Sequence, residues 1–268
     1  MRPDGVFSVA NSLGFLYWQW LRRDMAGRYR GSLLGLAWPV LQPLAQIMVL
    51  TLIFHRFMGM RWSSADGGGD ALDFGLNVFA GLAVFNFFAE ILARSPLAVL
   101  SQPNLVTKVR FPLMLLPLVT VGAATVHLLM GWLMICGGML LWREAGPVAL
   151  LLPLYCLPVI AYGAALAWML AGLGVYLRDI VQVVPSVTSL LMFLTPIFYP
   201  PSVIPDSLAW MVGVNPVGWS VEVFRSLLVV GDLPDTGILL LHCGISLLSL
   251  AIAGWLFQLL RKGFPDVI

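Results

Sequence analysis

Asn86, Glu90 and Arg94 recur at intervals of four residues in an otherwise apolar stretch, so a helix sets all three on one face. A carboxylate at Glu90 then lies roughly one turn inside a membrane, where charge is costly and faces protein or water. Two readings are open: an interfacial ion pair with Arg94, or a gate beside a hydrated path. Gln42 and Gln46 form a second polar pair at helical spacing, with Trp38 one turn before them. Gln182, Ser186, Ser189 and Phe193 make a third stripe, suited to joining helices or lining a pore. His127 lies alone in one apolar run, and His242 shares a helix face with Ser246 and Ser249 in another. Each histidine reads best as bonded to a neighbouring helix.

Several chemistries lack their residues. The chain has no GxSxG elbow, no HExxH pair and no GxxxxGK[ST] loop. Cys136, Cys156 and Cys243 fall inside apolar runs at no metal spacing and read as small core residues. The 13 acidic residues are scattered, which disfavours a metal-dependent transferase. An ion-coupled carrier needs several intramembrane acids or helices broken at mid-depth, and Glu90 alone is weak support for one. The chain is therefore expected to bind no cofactor and to perform no catalysis. If it drives anything uphill, a partner supplies the energy.

The elements that position these residues follow from composition. The chain has 268 residues, 60% apolar and 10% charged, with a mean hydropathy of +0.92. Soluble domains carry about 25% charged residues, so this is an all-α polytopic membrane protein. Its net charge of +2 gives no footprint for nucleic acid. Spans of about 20 apolar residues are predicted over 33–57, 73–94, 112–141, 148–177, 180–200 and 236–260, six in all. Pro39 and Pro43 permit a kink in the first. The third and fourth exceed the required length and are expected to tilt or protrude. The start of the chain lacks the short apolar core and cleavage site of a signal peptide. Residues 6–21, with Tyr17, Trp18 and Trp20, read as an amphipathic helix in the membrane interface. A core helix of the bundle is the alternative.

Six spans put both termini on one side. If that side is cytoplasmic, it carries Arg2, Arg22, Arg23, Arg28, Arg30, Arg94, Lys108, Arg110, Arg178, Arg261 and Lys262. Only Arg56, Arg61, Arg143 and Arg225 lie opposite, as the positive-inside rule requires. Most acids, including Asp66, Asp70, Asp73, Glu144, Asp206 and Glu222, fall outside. The first outer loop, SSADGGGDALD, reads as a flexible turn. The inner loop over 96–111 is too compact for a domain but suits docking onto another protein. Residues 201–235 are too long for a bare loop and too interrupted for a span. Asp206 or Ser207 can cap a short helix containing Trp210, and Asn215-Pro216 starts another with Trp219, Glu222 and Arg225. Glu222 and Arg225 can pair at i, i+3. Two short helices between spans suggest a periplasmic re-entrant pair, which irregular backbone tolerates only against protein or water.

Four segments, RRDMAGRYRGSLLGLAWPVLQPL (22–44), QPNLVTKVRFPLMLLP (102–117), LRDIVQVVPSVTSLLMFLTPIFYP (177–200) and NPVGWSVEVFRSLLV (215–229), occur in this order. Together they resemble the membrane subunit of type-2 ABC exporters for polysaccharides, the permeases of O-antigen, capsule and teichoic acid export. The first segment is most similar to the O-antigen and teichoic branch. The resemblance covers nearly the whole chain. It implies residues 1–32 as a cytoplasmic interface helix and cuff, and 33–268 as one transmembrane domain in a bacterial inner membrane. It further implies a homodimer bound to two ABC ATPase subunits, which hold ATP and magnesium. The implied substrate is a glycan on an undecaprenyl-type lipid.

By the same resemblance, Arg22, Arg23, Arg28 and Arg30 contact the ATPase or a lipid phosphate, and Lys108 and Arg110 are the charged points of a coupling loop. A glycan path wants aromatic walls and few charges. Trp38, Phe54, Phe193, Phe198 and Tyr199 are the expected walls, with Gln42 and Gln46 bonding sugar hydroxyls; packing is the other use of each. The rival readings are an ABC permease for a lipid or small molecule, and a membrane-embedded lipid-glycan transferase.

Overall fold

The computed structural model describes residues 4–31, 35–60, 62, 71–109, 111–142, 147–200, 204–205, 207 and 210–268. Arg2, Arg61, Asp66, Asp70, Arg110, Arg143, Glu144 and Asp206, with most of the glycine-rich loop, lie outside the described residues. Helix α1 runs over Asp4–Tyr29. The polar residues that interrupt its hydropathy do not interrupt its helix, so Arg22, Arg23 and Arg28 ride on it and Arg30 follows it. It packs along the first half of α5, Leu115–Trp142. Tyr17 donates to the Leu118 carbonyl at 3.5 Å, and Tyr29 meets His127 nine residues further along.

Helix α2, Trp38–Leu50, starts with Pro39 in its first turn and contains Pro43. Its last turns widen to i→i+5 bonding over Thr51–Phe57, ending in a Met58 N–H to Ile53 carbonyl bond of 3.1 Å. No residue of this run is buried. Helix α3, Ala71–Arg94, is the opposite case. It is the centre of the main core, with Phe74, Val78, Leu82, Phe87 and Ile91 all but sealed from solvent. Helix α4 is the short Pro103–Thr107, and α6 is Leu152–Tyr176 with Pro158 inside. Helix α6 pairs with α10, Thr236–Leu260, which the Asp235 side chain caps by accepting from the Ile238 N–H at 2.9 Å. The terminal helix α11, Phe264–Val267, buries Phe264 against Phe257 and Tyr176.

Among the described residues, five helical runs are long and apolar enough to cross a membrane: Trp38–Phe57, Asp73–Leu97, Leu115–Met139, Leu152–Tyr176 and Thr236–Val267. The span expected over 180–200 is shorter. Helix α7 covers only Ile180–Leu194, because Thr195 precedes Pro196 and turns extended (φ −96°, ψ 132°). At 1.5 Å per residue its 15 residues reach about 22 Å, against roughly 30 Å of hydrocarbon. Two short helices follow, α8 over Trp210–Val214 and α9 over Pro216–Arg225. Asn215 caps α9, accepting from the Val217 N–H at 3.0 Å.

Small residues set the closest approaches. Gly174 of α6 lies against the backbone carbonyl of Pro96, leaving no room for a methyl group. Gly244 of α10 has open space around it. Gly174→Ala is expected to cost about 1–3 kcal/mol through overpacking, and Gly244→Ala to stay within about 0.5 kcal/mol of wild type. Thermal unfolding of the two purified variants in detergent checks the difference.

Candidate functional site

The site begins at Glu90. One of its carboxylate oxygens accepts from Nη1 of Arg28, and the other bonds Nδ1 of His127 at 2.7 Å. His127 Nε2 meets the Tyr29 hydroxyl at 2.8 Å. A carboxylate only accepts, so His127 donates from Nδ1. Nε2 is left to pair with the Tyr29 hydroxyl, which can donate or accept, and both contacts are satisfied. Arg28 also sets Nε and Nη2 on one Asp24 oxygen, each at 2.8 Å, while Arg94 donates to the other at 2.6 Å. Arg94 stands 3.8 Å from Glu90. The i, i+4 pair read from the sequence is thus the weaker edge of a network whose stronger bonds cross from α1 to α3 and α5.

Two carboxylates, Asp24 and Glu90, face two guanidiniums, Arg28 and Arg94, so the network is neutral. That balance is what lets charges sit half-buried beside a bundle core. Burial alone lowers the Arg28 pKa, but Glu90 and Asp24 outweigh it and hold the guanidinium above its ordinary range. Burial raises the Tyr29 hydroxyl above the usual tyrosine range. Arg28 therefore turns inward, whereas Arg22, Arg23 and Arg30 remain exposed, with Arg23 stacked 4.2 Å above the Trp20 ring.

Glu90 and His127 also line a cavity of about 390 Å³. Its wall includes Trp38, Gln42 and Gln46 from α2, Asn86 from α3 and Tyr29 from α1. Three of the expected path residues thus share one chamber with the expected gate. An apolar cleft of about 960 Å³ continues along α2 from Val40 to Arg56 and shares Phe79 with the chamber.

The other expected wall residues lie elsewhere. Phe54 stacks on Phe198 with centroids 5.1 Å apart and planes 8° from parallel. Phe198 is only 6% exposed and belongs to the core. Phe193 is 70% exposed, and its carbonyl accepts from the Tyr199 hydroxyl at 2.8 Å. The stripe Gln182, Ser186, Ser189 and Phe193 is exposed along α7. Lys108 is exposed at the end of α4, and Arg110 lies outside the described residues. Trp210 is exposed, while Trp219 is buried and stacks on His242 at 4.1 Å. His242 also meets the Tyr162 hydroxyl at 3.1 Å, a bond to a neighbouring helix. Among the described residues, no group of three His, Cys, Asp or Glu side chains is placed to hold a metal ion.

Arg225 plays a larger part than its spacing announces. Besides Glu222 at 2.8 Å, its guanidinium binds the carbonyls of Pro196 at 2.5 Å, Ile197 at 2.7 Å and Asn77 at 3.2 Å. It also stands 4.4 Å above the ring of Trp62. Gly81 makes room for it: a Cβ there would lie 3.1 Å from Nη2. Asn215 adds a second grip on the same turn, donating to Thr195 Oγ1 at 3.1 Å. The end of α7 is thus fixed by α9 through its backbone, and this positions Phe198 against Phe54.

Removing the guanidinium takes a donor from three carbonyls, Pro196, Ile197 and Asn77, and breaks the pair with Glu222. Arg225→Leu is expected to destabilise the protein by about 3 kcal/mol or more, and Asn215→Ala by about 1 kcal/mol through the lost cap. Denaturation in detergent, with the two variants ranked in that order, checks both.

The family described as ABC-2 type transporter matches residues 16–229, a range that contains the chamber and the Arg225 grip. The chain is 28% identical over 251 residues to the O-antigen export system permease protein RfbA of Myxococcus xanthus, covering 92% of this chain and 93% of that protein. It is 24% identical over 249 residues to a Klebsiella pneumoniae protein of the same name, covering 92% of each.

Proposed function

The chain belongs to the ABC-2 type transporter family, and from that premise we propose that it is the membrane permease subunit of an ATP-driven O-antigen exporter. The observation that carries the substrate class is end-to-end similarity to permeases named for O-antigen export, over 92% of this chain. ATP and magnesium bind on a partner ABC ATPase, and this subunit supplies the path through a bacterial inner membrane.

The cargo is a lipid-linked polysaccharide taken from the cytoplasmic face. The chamber supports that reading chemically: an indole, two glutamines, an asparagine and a charge-balanced network offer stacking and hydrogen bonds without a net charge. Five long helices, with α7 and the α8–α9 pair as a sixth crossing, return the chain to the side it started from. Arg22, Arg23, Arg30 and Lys108 then face the ATPase and the headgroups. Helix α2, with no buried residue, and α7, with Val184 alone buried, are the elements left for a second copy. The path runs between the two copies along these helices.

Co-purification with an ABC ATPase, followed by ATP hydrolysis stimulated by the O-polysaccharide, tests the reading. A lone subunit with glycan-transferase turnover would overturn it. Trp38→Ala and Gln46→Ala are each expected to lower surface O-antigen about fivefold with the complex intact, the equivalent of about 1 kcal/mol of lost contact. Immunoblots of surface glycan beside co-purification yields check this; normal glycan in both variants removes the chamber from the path.

A further inference from the structure

We propose that Glu90 reports the filling of the chamber to helix α1, and that the ligand it senses is a neutral, hydroxyl-rich segment of glycan. The inference rests on the export reading given above.

Glu90 is the one side chain of the network that both faces the chamber and binds α1 directly through an ion pair. Its two oxygens are each engaged, by Arg28 and by His127, yet a carboxylate oxygen has a second lone pair in plane. Its side chain keeps 17% exposure, so that lone pair can be reached. A sugar hydroxyl entering beside Gln42, Gln46 and Asn86 donates to it and draws negative charge away from Arg28. The Arg28 bond to α1's neighbour then weakens, while Asp24 keeps Arg28 on its own helix.

The sign of the charge selects the ligand. A phosphate brought to this wall meets the Glu90 carboxylate, and the nearby guanidiniums are already matched by Asp24 and Glu90. A neutral polyol meets acceptors and amides. The anionic head of a lipid carrier therefore stays with the exposed arginines of α1, and the chamber takes sugar. Helix α1 is the right recipient of the signal, because its inward side holds Asp24, Arg28 and Tyr29 while Arg22, Arg23 and Arg30 face away. A ligand shifts such a link only through a contact that differs between the two states, and the Glu90–Arg28 bond is that contact.

Glu90→Gln keeps the shape and removes the charge. In the complex with its ATPase, reconstituted in nanodiscs, the variant is expected to hydrolyse ATP without glycan at a rate already close to the glycan-stimulated rate of the wild type. Stimulation by O-polysaccharide released from the source cells' lipopolysaccharide should fall to a ratio near one. Amide hydrogen exchange over residues 20–29 should rise severalfold without any glycan. Full stimulation with an unchanged half-saturating glycan concentration overturns the proposal, and so does unchanged exchange. If Glu90→Gln does not assemble, His127→Gln carries the test, since it loosens Glu90 and leaves the Glu90 carboxylate and the Arg28 guanidinium in place. A raised half-saturating concentration supports the proposal, and an unchanged one overturns it. Should the wild-type complex ignore the glycan, the export reading fails, and the exchange arm still decides the link between Glu90 and α1.

Discussion

A charge placed within an apolar layer has to bring its counter-charges with it, and the arrangement of this bundle follows from that requirement at two places. Glu90 draws Arg28 from α1, Arg94 from its own helix and His127 from α5. Three helices are thereby tied at one point, and α1 acquires a fixed orientation along α5. Arg225 has the reverse problem, a buried cation that pairs with one acid among the described residues. It draws on backbone carbonyls instead, so a turn with no regular structure is held as firmly as a helix. In water either group would be solvated at little cost. Here the cost of leaving it bare, several kcal/mol for a buried ion, makes the tertiary contacts obligatory.

The sequence announced local features well and distant ones poorly. The bounds of α10 and the Asn215 cap are written in runs and caps, and the Glu222–Arg225 pair in its spacing. Arg225 also needs Asn77, 148 residues away, and two carbonyls, which carry no side-chain signature. The Asp24–Arg94 bridge spans 70 residues and is equally silent. Two signals were present but outweighed. Pro196 ends α7 where hydropathy alone continues the span. Once α1 is allowed to reach Tyr29, Tyr17, Leu21, Asp24 and Arg28 fall at i, i+4, i+7 and i+11, and the inward turn of Arg28 follows from phase. Grouping it with Arg22, Arg23 and Arg30 by proximity hides that difference.

The chamber shows why aromatic residues in a membrane chain resist assignment by type. Trp38 and Phe198 satisfy the same description, yet one lines a chamber beside glutamines and the other is stacked in the core. Only the packing separates them. The contrast between α3, sealed on nearly all sides, and α2, sealed on none, is of the same kind. Both belong to apolar helical runs of spanning length, Trp38–Phe57 and Asp73–Leu97, and the difference lies in which of them the rest of the chain surrounds.

The shortness of α7 has a consequence for the lipid around the protein. The helix begins beside exposed Arg178 and Asp179 and stops after about 22 Å, roughly 8 Å short of a full hydrocarbon layer. The turn at Thr195–Phe198 that follows it is buried in the protein. Where lipid rather than a second copy meets α7, a bilayer would have to thin or its acyl chains tilt, at a cost of a fraction of a kcal/mol per ångström. Lipids with longer chains pay more at this corner than elsewhere on the surface. Short-chain or disordered lipids would match a helix of that length best.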